Sequence, residues 1–182
     1  MFLARLSLLN FKNHEDSSVE LSHNINCFVG NNGSGKTNLL DAIHYLSFTK
    51  SYFNSQEALN IKHEKPFLAV EGHFNKDGKE EVVHCGIKRG AKKVMKRNKK
   101  SYERLADHIG LFPLVMISPT DSNLILEGSE ARRKYLDAVI SQFDRAYLEQ
   151  LIQYGKLIAQ RNAVLKQMAK GGRFDNAALD LY

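Results

Sequence analysis

Hydrophobic and polar residues alternate through the first thirty positions in the way expected of a small antiparallel sheet. The run Phe2–Phe11 predicts a strand, the polar residues 12–15 predict a turn, and a short second strand is expected around Val19 and Leu21. The apolar run Ile25–Val29 predicts a further strand, buried, that leads into a glycine-rich loop.

The segment after this loop has the apolar spacing of a helix. Within residues 37–47, Leu39, Leu40, Ile43 and Leu46 recur at three- and four-residue steps and are expected on one buried face. Residues 48–64 show no clear period, so we assign them no element.

The middle of the chain predicts an antiparallel meander. Asn75-Lys76-Asp77-Gly78 is a turn signal between two alternating runs, and a second turn is expected near Asn98. Phe112–Ile117 is continuously apolar, which is typical of a strand buried on both faces. The other predicted elements are strands at Phe67–Phe74, Glu80–Lys88 and Lys92–Arg97 and a short helix at Tyr102–Ile109.

Beyond Ser118 the pattern is helical. Asp121, Ser129 and Asp144 can each cap a helix, and the last of these helices is expected to run to Lys170 with an apolar stripe from Tyr147 to Met168. Gly171-Gly172 predicts a turn, and Asp175 can cap a second long helix that packs along the stripe. We therefore expect two domains, 1–120 and 121–182, and interpret the chain as the N-terminal part of a longer protein.

The glycine-rich loop carries the strongest chemical signal. Residues 30–37 form the pattern G-x-x-x-x-G-K-T, in which glycines let backbone amides point inward at phosphate oxygens. Lys36 would reach the outer phosphates, and the Thr37 hydroxyl would complete the shell of Mg²⁺. The sequence thus predicts a nucleoside triphosphate site with these residues: Gly30, Asn31, Asn32, Gly33, Ser34, Gly35, Lys36, Thr37 and Asn38.

Composition adds few constraints. Hydrophobic residues make up 43% and charged residues 25%, as in ordinary globular proteins. No apolar run approaches the ~20 residues that span a membrane, and the N-terminus lacks the features of a signal peptide. Cys27 and Cys85 are isolated in sequence, and we expect reduced thiols packed in or near strands of a cytoplasmic protein.

Positive charge is concentrated in one stretch. Between Lys88 and Arg104 lie nine basic residues and a single acidic residue, Glu103, whereas the net charge of the whole chain is +6. A block of this kind suits contact with a nucleic-acid backbone, although it could equally be a solvated hairpin. The candidate DNA-contacting residues are Lys88, Arg89, Lys92, Lys93, Lys96, Arg97, Lys99 and Lys100.

A second motif expected of nucleotide hydrolases is not recognisable. Such enzymes use an apolar strand ending in Asp or Asp-Glu to hold Mg²⁺ and to orient the attacking water. Residues 114–117 are apolar but end in Ser118-Pro119-Thr120-Asp121, and Asp180 has no strand before it. The sequence therefore predicts nucleotide binding more firmly than turnover.

Several segments resemble one protein family. Residues 10–13 (NFKN), the loop GNNGSGKTN and the continuation LLDAI are similar to the SMC-like branch of the ABC-type ATPases. Residues 118–137 (SPTDSNLILEGSEARRKYLD) narrow this resemblance to the RecF family of bacterial DNA replication and repair proteins. Residues 141–144, 147–148 and 160–163 extend it over nearly the whole chain.

The resemblance implies an α/β fold: the N-terminal lobe of an ABC-type P-loop ATPase, with mixed or antiparallel strands around the loop helix and the start of a helical lid subdomain. It implies a protein that binds ATP and Mg²⁺, dimerises on ATP, binds gapped or junction DNA, and works with RecR and RecO to load RecA. Lys12 and Asn13 would then lie near the nucleotide, and Asp121 would serve as a Mg²⁺ ligand in a Q-loop position. Two departures from the family pattern are Phe53, where Arg is usual, and Glu130, where Pro is usual.

Two alternatives stay open on the sequence. A self-contained P-loop kinase or GTPase should contain its acidic motif or a guanine-selecting Asn-Lys-x-Asp, and neither is present. A DNA-binding fragment with a vestigial loop would keep the basic block and bind no nucleotide. For Arg132 and Arg133, pairing with Glu127 and Asp137 and a role as sensors are both compatible with the sequence.

Overall fold

A computed structural model describes residues 1–126 and 128–169. The chain divides into two compact units, Met1–Ile117 and Ser118–Tyr182. The predicted turn at Gly171-Gly172 and the helix expected after Asp175 lie outside the described residues.

The first unit is built on a six-stranded antiparallel sheet with the order β2-β1-β3-β4-β5-β6. Asp77 and Gly78 both have positive φ (54° and 76°) in the tight turn between β3 and β4, as do Asn98 and Lys99 (50° and 69°) between β5 and β6, so both predicted turns are confirmed. The strands are β1 (Phe2–Phe11), β2 (His14–Glu20), β3 (Phe67–Lys76), β4 (Lys79–Lys88), β5 (Val94–Arg97) and β6 (Lys100–Ser101).

One face of the sheet is covered by the helix α1 (Lys36–Phe48). Alternation along β1 turns Leu6 and Leu8 into the core, while Arg5 and Leu9 are exposed on the other face. The helix approaches so closely that a Cβ on Gly72 of β3 would stand 2.5 Å from Leu46 Cδ1. A side chain at this position would therefore require Leu46 to shift from its packing against the sheet.

The buried face of α1 matches the prediction at three of its four positions. Leu46 is fully buried and Leu39 and Ile43 pack against the core, whereas Leu40 is exposed. Ala42, Tyr45 and the carboxylate of Asp41 are also fully buried, outside the predicted stripe. Spacing alone could not separate these faces because apolar residues extend around more than half of the helix.

Two predicted strands are absent from the described sheet. Residues 25–29 and 112–117 form no ladder, and most of their apolar side chains are open, with Ile25 and Val29 each 88% exposed and Ile117 84% exposed. An apolar run supplies the side chains of a buried strand, but a strand also needs a backbone ladder with a neighbour, and the described residues form none at these runs. Phe112 O instead accepts a hydrogen bond from Ser47 Oγ at 2.6 Å. Cys27, in the first run, is accordingly exposed rather than packed, while Cys85 in β4 is buried.

Short 3₁₀ turns complete the first unit. They lie at Glu57–Asn60 and Leu105–His108, the second of them in place of the α-helix predicted at Tyr102–Ile109. His108 is buried there, where its Nε2 contacts Leu46 O at 2.6 Å and its ring stacks near Phe112. Desolvation lowers the pKa of this imidazole, which indicates a neutral packing residue.

The second unit is helical, as predicted. Asp144 Oδ1 accepts a hydrogen bond from Tyr147 N at 2.9 Å, which confirms this residue as a helix cap. Ser129 is not a cap, because it is the first residue of its helix and Gly128 precedes it. The Tyr147 hydroxyl donates to Asp137 and ties the last two helices together. The elements are a 3₁₀ turn at Pro119–Ser122 and helices α2 (Asn123–Leu126), α3 (Ser129–Ile140) and α4 (Arg145–Ala169).

Candidate phosphate-binding site

The glycine-rich loop ends at the first turn of α1, as the motif requires. Gly33 and Gly35 have φ of 80° and 100°, a region that other residues rarely adopt, so these two glycines allow the chain to curl before the helix. A Cβ on Gly35 would also lie 2.5 Å from His14 Nε2 and 2.8 Å from the side-chain amide of Asn13. The second glycine of the motif is thus required both for its backbone angle and for its neighbours.

Lys36 folds back over the loop. Its Nζ donates to Gly30 O at 2.8 Å and to Asn31 O at 2.7 Å, so the ammonium lies at the mouth of the loop. Gly35 is the N-cap residue of α1. Among the described residues no side-chain hydrogen bond caps this end of the helix, and its first turn contains no acidic residue. The positive end of the helix is therefore directed at the loop, an arrangement that favours a bound anion.

The next two residues lie on the first turn of the helix. Thr37 is exposed, so its hydroxyl could serve a Mg²⁺ ion beside a bound phosphate. Asn38 is half-buried, and its Nδ2 donates to Asn13 Oδ1 at 2.7 Å. Asn13 in turn donates from Nδ2 to Gly33 O at 3.1 Å, which brings this predicted residue against the loop.

Lys12 has a partner that the sequence did not reveal. Its Nζ lies 2.5 Å from Asp41 Oδ2, and Asp41 is completely buried in α1. The same carboxylate accepts hydrogen bonds from Ser51 Oγ at 2.7 Å and Tyr52 N at 2.6 Å. Phe53, the residue found where the family usually has Arg, places its ring 5.4 Å from the Lys12 ammonium. Lys12 therefore fastens the β1–β2 turn to α1 and to the loop after it.

Asp121, the other predicted Mg²⁺ ligand, belongs to the second unit. One of its carboxylate oxygens accepts a hydrogen bond from Ser118 N at 2.7 Å. A role of this residue at the metal stays a prediction.

The predicted DNA-contacting residues fall into two groups. Lys93 is almost enclosed: its ammonium donates to Glu57, to Thr49 O at the end of α1 and to the Tyr45 hydroxyl. Arg97 donates to both carboxylate oxygens of Glu81, at 2.9 and 2.7 Å. Lys96 is half-buried, whereas the exposed members of the set are Lys88, Arg89, Lys92, Lys99 and Lys100. Among these, Arg89 donates from Nε to Lys65 O at 3.0 Å.

The Arg97 guanidinium has a strong effect on its partner. Its hydrogen bonds, opposed by partial burial, lower the pKa of Glu81 to about 2.

Burial raises the pKa of the Cys85 thiol to about 12, so this cysteine is an inert packing residue.

Three site residues were missed by the sequence reasoning: His14, Asp41 and Glu57. Asp41 and Glu57 are acidic residues that the fold places beside Lys12 and Lys93, at sequence separations too large for any local pattern to show. His14 follows Asn13 directly, and its position next to a residue already assigned to the site was the only available signal.

Comparison with known proteins agrees with this geometry. The family model described as AAA domain matches residues 5–173. The chain belongs to the AAA domain family. It is 52% identical over 182 residues to the DNA replication and repair protein RecF of Flavobacterium johnsoniae, covering 100% of this chain and 51% of that protein. The RecF of Phocaeicola vulgatus is 54% identical over 167 residues, which are 91% of this chain and 45% of that protein.

Solved structures show the same fold. The structure described as the recombination mediator protein RecF-ATP in the RecFOR pathway superposes with a TM-score of 0.89 at 33% identity, over 97% of this chain and 48% of that one. An SMC ATPase described in terms of ATP-driven dimerisation has a TM-score of 0.62 at 20% identity, covering 76% of this chain and 99% of that one, a likeness of fold alone.

These matches confirm the resemblance to RecF and the α/β P-loop ATPase fold. The chain spans about half the length of the curated relatives that it matches. Among its described residues no helix combines the length and hydropathy needed to cross a bilayer.

Proposed function

We propose that this chain is the nucleotide-binding part of a RecF-type recombinational repair protein and that its phosphate loop binds ATP with Mg²⁺. One observation carries the proposal: the Lys36 ammonium and the uncapped N-terminus of α1 converge on a loop that Gly33 and Gly35 shape for an anion. The RecF-ATP neighbour, at a TM-score of 0.89, supports ATP as the ligand. Lys36 would neutralise the outer phosphates, and Thr37 would provide a hydroxyl to the metal.

The exposed apolar runs support the proposal that this chain is part of a longer chain whose other half completes the fold. Residues 25–29 and 112–117 have the composition of buried strands, and the relatives are about twice as long as this chain. We infer that the other half of a RecF-length protein provides their neighbours, together with the acidic motif needed for hydrolysis. ATP-dependent dimerisation, cooperation with RecR and RecO, RecA loading and a cytoplasmic location belong to the same proposal.

DNA contact is assigned to the exposed part of the basic block. Lys88, Arg89, Lys92, Lys99 and Lys100 lie on β4, β6 and the adjoining turns, where a phosphate backbone could approach them. Lys93 and Arg97 are engaged with Glu57 and Glu81, so their main contribution is to hold the strands that present the others. Contacts of this type would be insensitive to base sequence. The preference for gapped or junction DNA is part of the proposal through the resemblance to RecF alone.

Titration with ATP tests the nucleotide proposal. Because charge-assisted bonds to phosphate are worth about 1.5–3 kcal/mol, Lys36→Ala should weaken ATP binding at least tenfold. Lys50→Ala removes an exposed lysine at the far end of α1 and should leave the affinity unchanged. Equal affinities for wild type and Lys36→Ala, or no binding at millimolar ATP, would favour a DNA-binding protein with a vestigial loop.

A further inference from the structure

The turn between β1 and β2 contacts the phosphate loop through two successive side chains. Asn13 donates from Nδ2 to Gly33 O at 3.1 Å, and His14 Nε2 lies 3.2 Å from Gly35 O. Just before them, Lys12 fixes the turn to α1 through its ion pair with the buried Asp41. The loop is thus held from outside by a neighbouring strand connection as well as by its own backbone.

The hydrogen bonds of His14 determine which ring nitrogen carries the proton. Gly35 O can only accept, so Nε2 must be the protonated nitrogen. In the neutral ring Nδ1 is then an acceptor, and Ser17 Oγ stands 3.1 Å from it with a hydroxyl to donate. Ser17 therefore favours the tautomer that donates to the loop.

Gly35 O, the carbonyl oxygen that His14 contacts, also accepts the first hydrogen bond of α1, from Leu39 N at 3.0 Å. This oxygen therefore has two donors. The peptide bond is planar and trans, which means that the N–H of Lys36 points opposite to this carbonyl. Fixing the direction of Gly35 O therefore fixes the direction of the Lys36 amide, one of the donors at the N-terminus of the helix.

Gly35 has little intrinsic preference for this orientation. Its backbone lies at φ 100° and ψ 7°, and glycine moves between such conformations at little cost. A residue that restrains this peptide from outside would keep the loop ready for its ligand, so that less ordering would be needed on binding.

We propose that His14 is a positioning residue of the phosphate loop: through its bond to Gly35 O, with Ser17 selecting the tautomer, it aims the Lys36 amide at the bound phosphate. This role rests on the nucleotide-binding function proposed above. His14 acts on the ligand only through the loop backbone and has no direct contact in the proposal.

Variants that separate the hydrogen bond from the bulk of the side chain test this role. His14→Met keeps most of the volume and removes the donor, so we expect ATP and ADP to bind about fivefold to tenfold more weakly. His14→Gln places an amide N–H near the position of Nε2 and should bind within about twofold of wild type. His63→Met is the matched control, because the His63 side chain is 94% exposed and lies outside the site.

Amide hydrogen exchange, measured without nucleotide, gives a second and independent readout. In His14→Met the Leu39 amide, which donates to the same Gly35 O, should exchange at least about fivefold faster than in wild type, while core amides of β3 keep their rates. Unchanged Leu39 exchange, or a His14→Gln variant as weak as His14→Met, would overturn the positioning role. Failure of the wild type to bind ATP would instead refute the proposed function, and the exchange result would still decide the role of His14.

Discussion

The buried ion pair between Lys12 and Asp41 allows a quantitative test of how the site is held together. Asp41 is inaccessible to solvent, and the side chain of Lys12 is only 10% exposed, so the pair is almost fully desolvated. Lys12→Met keeps the aliphatic stem and removes the ammonium, leaving a buried carboxylate whose remaining partners among the described residues are Ser51 Oγ and Tyr52 N. Breaking a buried pair in this way typically costs about 3–5 kcal/mol.

Urea unfolding of wild type and variant measures this cost. We expect Lys12→Met to lower the free energy of unfolding by about 3 kcal/mol or more, which corresponds to roughly 10–20 °C in melting temperature for a unit of this size. Lys79→Met, at the exposed lysine that begins β4, should change the stability by no more than about 0.5 kcal/mol.

A second substitution identifies the cause of the loss. If the unpaired charge destabilises Lys12→Met, adding Asp41→Asn should recover about 1–2 kcal/mol, because the amide is neutral and its Oδ1 can still accept from Tyr52 N. A loss below about 1 kcal/mol in Lys12→Met, or no recovery in the double variant, would refute the conclusion that this pair fastens the turn to α1.

Two further predictions concern the basic block. The pKa of Glu81 is about 2 beside Arg97, below its usual 4.5, so this pair stabilises the fold above pH 4.5 and the contribution disappears as the pH falls toward 2. Allowing for the partial exposure of Arg97, Glu81→Gln should cost about 1–2 kcal/mol at pH 7, and a difference in unfolding free energy that is as large at pH 2.5 as at pH 7 would contradict this linkage. For DNA contact, Lys92→Gln with Lys99→Gln should reduce the slope of log affinity against log salt for gapped DNA by about 2, whereas Lys50→Gln with Lys79→Gln should leave it unchanged. Equal slopes in the two double variants would remove DNA contact from this surface.

Local patterns predicted a large part of the first unit. The bounds of β1, the turns at Asp77-Gly78 and Asn98, and the helix after the phosphate loop all follow from side-chain period and turn chemistry. The same reasoning was wrong for the runs at residues 25–29 and 112–117, where the side chains of a buried strand are present but the described part of the chain forms no β-ladder. A strand forms only when a second segment pairs with its backbone. The hydrophobic pattern of one segment carries no information about that partner.

The sequence by itself determined the phosphate loop, because its chemistry depends on consecutive residues: glycines that permit positive φ, then Lys36 and Thr37 at the start of a helix. The tertiary structure alone decided how the loop is supported and which basic residues face outward. Asp41 meets Lys12, and Glu57 meets Lys93, across 29 and 36 positions of sequence. Such pairs form because buried charges need partners, and the partner that reaches them is determined by how the strands and α1 pack together.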